Sequence, residues 1–115
     1  MKTITLNNNQ TIDVVEVYGG KEVYQGFRRE YLEIVVRQED YTLEALETRM
    51  ADACETMTIT DEDGVQYVYN DYMLRGGARV WQDEDSGEWF VAAKRYQRTE
   101  MERMLDRLLK GTGNG

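Results

Sequence analysis

The chain of 115 residues contains no histidine, no proline and one cysteine. Without an imidazole there is no side chain that changes charge unperturbed near neutral pH, no Ser-His-Asp or Cys-His pair, and no Cys/His zinc cluster. A lone Cys54 excludes an internal disulfide, which fits a reducing compartment or indifference to redox state. The absence of proline leaves every strand free to be hydrogen-bonded throughout. It also removes one device for protecting a sheet edge, so edges must be blunted by charge, by bulges or by a partner. No apolar run approaches the roughly 20 residues of a membrane-crossing helix. The segment Met1–Thr5 alternates like a strand and lacks the apolar core of a signal peptide. Together these absences argue for binding rather than catalysis, with no catalytic residues, no metal and no cofactor expected.

Charge is abundant and one-sided. Acids outnumber bases 22 to 14, a net charge of −8 and a pI near 4.6. Residues 1–60 carry eleven acids and six bases, residues 61–98 eight and five, and residues 99–115 three and three. An acidic body of this kind repels nucleic acid and anionic membrane at long range and attracts a basic protein. The length suits one domain. Residues 1–110 are expected to form it, with 111–115 (Gly-Thr-Gly-Asn-Gly) a flexible tail.

Residues 3–7 read as a strand, Asn7–Gln10 as a turn, and 11–18 as a second strand whose apolar phase slips from Ile12 and Val14 to Val15 and Val17. That slip predicts a bulge. Gly19-Gly20 is expected to end it. Residues 27–37 alternate clearly, with Leu32, Ile34 and Val36 on one face. Thr42 is a candidate N-cap for a helix over 43–53, since Leu43, Leu46, Met50 and Ala53 recur at helical spacing. Strands follow at 55–60, 65–74, 78–82 and 88–96. The apolar phase shifts again within 65–74, from Val65, Tyr67 and Tyr69 to Tyr72 and Leu74, and Gly76-Gly77 is read as a break. Thr99 and Glu102 form a capping box ahead of the stripe Met101, Met104, Leu105, Leu108 and Leu109, with Gly111 suited to C′. The stripe is expected to pack on its own sheet, with docking on a neighbouring copy the alternative. The expected order is β-β-β-α-β-β-β-β-α: an α+β fold with a mainly antiparallel, bent sheet of about seven strands and two packed helices. The second half echoes the first, as a duplication or as hairpins obeying the same turn rules would produce.

Several clusters invite a chemical reading. Asp61-Glu62-Asp63-Gly64 and Asp83-Glu84-Asp85-Ser86-Gly87 resemble fragments of a calcium loop but lack its spacing and fit hairpin turns. Glu30, Glu33, Glu39 and Asp40 are close enough in sequence for a carboxylate pair, although a solvated face explains them better. Cys54 falls after a helix C-terminus, where the dipole disfavours a thiolate, so it reads as a buried small side chain. Aromatic and basic residues interleave at Tyr24, Phe27, Arg28, Arg29 and Tyr31, at Arg75, Arg79 and Trp81, and at Lys94, Arg95 and Tyr96. Sheet packing, a protein interface and base stacking all use such patterns.

The run Thr3-Ile4-Thr5-Leu6-Asn7-Asn8, then Val17-Tyr18-Gly19-Gly20, Tyr24-Gln25-Gly26 and Arg29–Ile34, resembles a pattern in small uncharacterised proteins of phages and prophages of Gram-positive gut bacteria. Leu43–Leu46 and Gln97–Glu102 fit the same pattern. These motifs are structural and bring no catalytic residues. The resemblance implies a phage-encoded protein of the host bacterial cytoplasm or the virion. The expected function is therefore non-catalytic protein binding by a tail or baseplate accessory component, with a homo-oligomer compatible, and with no direct nucleic-acid or membrane contact. The alternative is an acidic inhibitor of a host nucleic-acid enzyme, including an RNA-guided nuclease, that mimics nucleic acid. The residues expected to meet a protein partner are Asp61, Glu62, Asp63, Asp83, Glu84, Asp85, Glu39, Asp40, Trp81, Tyr24 and Phe27.

Overall fold

The computed structural model describes residues 2–113, with side chains described through residue 109. Its elements are β1 (Lys2–Thr5), β2 (Thr11–Val14), β3 (Glu16–Tyr24), β4 (Phe27–Arg37), α1 (Leu43–Met50), β5 (Thr56–Thr60), β6 (Gln66–Asn70), β7 (Leu74–Gln82), β8 (Trp89–Tyr96) and α2 (Glu100–Gly113). The fold is α+β and the strand pairings are antiparallel. The expected single sheet of about seven strands is corrected to eight strands among the described residues, in two four-stranded sheets ordered β2-β1-β5-β6 and β3-β4-β8-β7.

The two phase slips account for the difference. Each marks the place where the chain changes sheets, not a bulge within one strand. β2 ends at Val14 in the first sheet, β3 begins at Glu16 in the second, and the Val15 N–H between them donates to Val35 O at 2.8 Å. The second slip separates β6 from β7 at Asp71, which takes a left-handed φ of 68°. A one-residue slip moves the apolar set to the opposite face, so each half can offer an apolar side to both sheets of a sandwich.

Exchanging β1–β4 for β5–β8 leaves both strand orders unchanged. The central pairings are symmetric too: β1 and β5 meet about Ile4 opposite Ile59, and β4 and β8 about Ile34 opposite Ala93. All four side chains are buried in a core that also takes Ile12 and Met57 from the first sheet, Leu32, Val36 and Val91 from the second, and Leu46 and Met50 from α1. The chain is thus two β-β-β-β-α halves about a pseudo-two-fold axis.

The double glycines do not end strands. Gly19 and Gly20 lie inside β3, and Gly76 and Gly77 inside β7 at a register shift between Arg75 and Ala78. A Cβ on Gly20 would meet the Tyr31 hydroxyl at 2.7 Å, and one on Gly76 the Tyr96 ring at 2.6 Å. Gly20 and Gly76 are seats for tyrosine rings on the neighbouring strand. α1 also ends earlier than periodicity predicts, at Met50 rather than 53. Ala51 leaves the helical region, and the chain turns so that Ala53 O accepts the Asn7 N–H at 3.2 Å.

Candidate interaction surface

The halves treat their helices differently. α1 is capped by Thr42, whose hydroxyl accepts the Ala45 N–H at 3.1 Å, and it lies between β2 and the β7–β8 pair. Glu47 receives Arg95 of β8 at 2.8 Å and Arg75 of β7 at 2.7 Å, and Arg49 donates to Thr11 O of β2 at 2.9 Å. Leu46 and Met50 are fully buried beneath it.

α2 begins with the expected capping box: the Thr99 N–H donates to the Glu102 carboxylate at 2.7 Å and the Glu102 N–H to the Thr99 hydroxyl at 3.2 Å. Glu102 also pairs bidentately with buried Arg29 of β4, one arm at 3.0 Å. That guanidinium and the helix-start N–H hold the Glu102 carboxyl down at about 2. Arg98 and Arg103 both reach Asp71, at 2.6 and 3.2 Å, and Arg98 also pairs with Asp106. The helix is therefore held at its root by ion pairs. Its stripe does not pack on its own sheet as expected: Met101, Met104, Leu105 and Leu108 are 64, 46, 51 and 62% exposed. Like charges do not explain this orientation, because the root is neutralised on both sides. The helix also runs through Gly111 to Gly113, so Gly111 is not its C′ residue; residues 114 and 115 lie outside the described residues.

A cleft of about 460 Å³ lies between β6 on one side and β3–β4 on the other. Val17, Leu32 and Ile59 contribute apolar surface, and Tyr67, Tyr69 and Tyr72 aromatic walls. Lys2, Lys21, Glu30 and Asp61 bring both signs of charge to it. Burial and the neighbouring Glu30 carboxylate push the Tyr72 phenol up to about 12, so this wall stays neutral at ordinary pH. β6 is an edge strand without a charged residue, and Val65, Tyr67 and Val68 around it are about half exposed. The other edges carry charges, and β7 adds a register shift.

The residues expected to meet a partner do not converge. Glu39 and Asp40 follow β4 at the end where Arg37 pairs with Phe90, and Glu39 shares a groove with Gly87 and Glu88 beside the Asp83–Asp85 turn. Asp61 lies instead at the cleft with Glu30, seven residues back along β4 from Arg37, about 23 Å. The carboxylates of both turns close their own loops: Asp61 accepts the Asp63 and Val65 N–H groups at 2.9 Å each, and Asp83 accepts the Ser86 hydroxyl at 2.8 Å, which lowers its pKa. Glu62, Glu84 and Asp85 remain exposed. Trp81 packs on Phe90 under the Arg79 guanidinium at the Asp83 end, whereas Tyr24 and Phe27 sit at the opposite, α2 end. Tyr24 stacks on Tyr96 at 4.0 Å and donates to Arg75 O, and Phe27 lies beside Arg29.

The basic residues of the aromatic groups largely face carboxylates: Arg79 with Glu33, Lys94 with Glu22, Arg95 and Arg75 with Glu47, and Arg29 with Glu102. Cys54 is buried, and burial pushes its thiol up against the opposing pull of Arg95. Among the described residues no group of three or more Cys, Asp or Glu is placed to hold a metal ion, and no helix is long and apolar enough to cross a membrane. Sequence reasoning missed Val17, Tyr67 and Tyr69 as surface-forming residues. The available signal was the uncharged run Gln66–Asn70 in a chain without proline to guard an edge. Compared with protein-family models, with curated proteins and with solved structures, the chain matches none.

Proposed function

We propose that the chain is a non-catalytic protein-binding module, a phage-encoded assembly accessory of the tail or baseplate type, that binds through α2. One observation carries this reading. Four large apolar side chains at helical spacing are turned to solvent on a helix whose root is fixed by ion pairs. A patch of this kind, on the order of 400 Å², is the size of the largest apolar patch on a typical monomer, which is often functional. Its i, i+3, i+4, i+7 pattern is the one by which amphipathic helices are recognised. The phage origin rests on the sequence resemblance and not on this geometry.

A second reading, an acidic inhibitor of a host nucleic-acid enzyme, draws on a different observation: the Glu39–Asp40 and Asp83–Asp85 turns lie at one end of the second sheet. The two readings use opposite ends of the molecule, so substitutions separate them. Leu105→Glu is expected to abolish complex formation with the products of neighbouring genes, measured by co-expression and co-purification, while circular dichroism stays unchanged. Lysine at Asp83, Glu84 and Asp85 together is expected to leave that complex intact. The reverse pattern, with nuclease inhibition lost in the lysine variant, would replace the first reading by the second.

A further inference from the structure

The pseudo-two-fold axis assigns the cleft a counterpart. α1 occupies the space between β2 and β7–β8. Exchanging the halves turns those strands into β6 and β3–β4, and these border the cleft. The cleft is thus the equivalent of the α1 seat, and it has no helix in it. α2 is the equivalent of α1 and has no seat. The residues that α1 directs toward the core, Leu43, Leu46, Glu47 and Met50, share their spacing with Met101, Met104, Leu105 and Leu108, each 58 positions later. β7 likewise starts 58 positions after β3.

The chain's own α2 is kept from its own cleft by the link that carries it. Five residues join β4 to α1 and let that helix fold back, but only three join β8 to α2. The first two of them are pinned to the body on both sides. The Gln97 N–H donates to Glu30 O, its side chain to Asn70 O at 2.9 Å, and the Arg98 N–H to Asp71 O at 3.0 Å. Arg29 and Asp71 then hold the first turns of the helix.

We propose that the cleft between β6 and β3–β4 receives α2 of a second copy of this chain, and that two copies exchange these helices reciprocally. The inference rests on the binding-module reading and names the partner of that same helix. The chemistry matches: two methionines and two leucines would meet an apolar floor of Val17, Leu32 and Ile59 and tyrosine walls, and methionine packs well on aromatic rings. The charges match as well. Residues 99–115 carry equal numbers of acids and bases, so α2 is the part of a −8 chain that another copy repels least, and the cleft rim offers both signs. Each helix offers about 400 Å² of apolar surface, and the two reciprocal contacts together come to about 1,000 Å², the lower end of the range for specific interfaces.

Mixed cross-linking of full-length chains tests this. Leu108→Cys in one chain and Tyr67→Cys in another are joined with a short bismaleimide, native Cys54 being buried. The expected result is a covalent dimer from the mixture. Leu108→Cys alone stays uncoupled, and a concentration-dependent dimer appears by sedimentation equilibrium. Leu105→Glu is expected to raise the dissociation constant about 30-fold or more with unchanged circular dichroism. Coupling of Leu108→Cys to itself, coupling within one doubly substituted chain, or a wild-type monomer at about 100 μM with no mixed product would each overturn the exchange. A monomer that still loses a heterologous complex on Leu105→Glu overturns the exchange and leaves the binding-module reading standing; a monomer with no such complex removes both.

Discussion

Adjacent glycines in β7 should respond oppositely to the same methyl group. A Cβ on Gly76 would lie 2.6 and 3.0 Å from Cε2 and Cδ2 of Tyr96 and 3.1 Å from Lys94 O, whereas one on Gly77 would meet nothing within 4 Å. The carbonyl is strand backbone and cannot withdraw. The Tyr96 ring cannot withdraw either, because Tyr24 stacks on it at 4.0 Å with the planes 5° apart and the Tyr96 hydroxyl donates to Glu22. Gly76→Ala therefore overpacks a clamped site and should cost about 1–3 kcal/mol. Gly77 has no left-handed φ, so Gly77→Ala mainly reduces the freedom of the unfolded chain and should stabilise by about 0.4–1 kcal/mol. Gly20→Ala is intermediate, since the atoms it meets belong to the far end of the Tyr31 side chain. For a chain of this size about 1 kcal/mol corresponds to roughly 4 °C in Tm. Thermal unfolding by circular dichroism should thus order the variants Gly76→Ala, Gly20→Ala, wild type, Gly77→Ala from least to most stable, with the extremes about 10 °C apart. If Gly76→Ala melts together with Gly77→Ala, the tyrosine stack is not the clamp described, and the reading of Gly20 and Gly76 as ring seats falls with it.

The attachment of α2 should depend on pH. The Glu102 carboxyl lies at about 2 in the folded protein against 4.5 ordinarily, so its contribution is complete above about 4.5 and is lost as pH falls toward 2. The difference corresponds to at most about 3 kcal/mol. With the carboxylate 29% exposed, solvent screening leaves about 1–2 kcal/mol, and Glu102→Gln should lose that much at pH 7 in urea unfolding and flatten the acid limb. Glu47→Gln leaves Arg95 buried with its carboxylate gone and should cost about 3–5 kcal/mol, while Glu47→Leu with Arg95→Met should recover most of it. A double variant as unstable as the single one would show that the pair does more than neutralise itself. Cys54 should react with a thiol reagent only as the protein unfolds, so a native rate close to that of free cysteine would contradict its burial.

Much of the local structure is legible in the residues. Turn chemistry is local, so Asp61–Gly64 and Asp83–Gly87 read as hairpins, and the side-chain bonds of Asp61 and Asp83 bear that out. Caps are local too, and both Thr42 and Thr99 act as periodicity and spacing predict. The phase slips at Val14–Val15 and before Leu74 were visible as breaks in alternation. A bulge and a change of sheet break alternation in the same way, and only the partner strand distinguishes them. Two charged residues interrupt apolar patterns: Glu47 among Leu43, Leu46 and Met50, and Arg95 after Val91 and Ala93. Neither position names its partner alone, although opposite charges at two core-facing positions are the mark of a buried pair.

The amphipathic stripe of the last helix, its capping box and its neutral charge follow from residues 99–109 alone, because helical period and capping depend on neighbours within a few positions. What covers that stripe does not follow, because a periodic pattern states which face avoids water and not what it meets. The tertiary structure decided that the stripe stays off its own sheet, through contacts far apart in the chain. Arg29 and Asp71 fix the root of the helix, the link before it has only three residues, and the cleft between β6 and β3–β4 holds no helix.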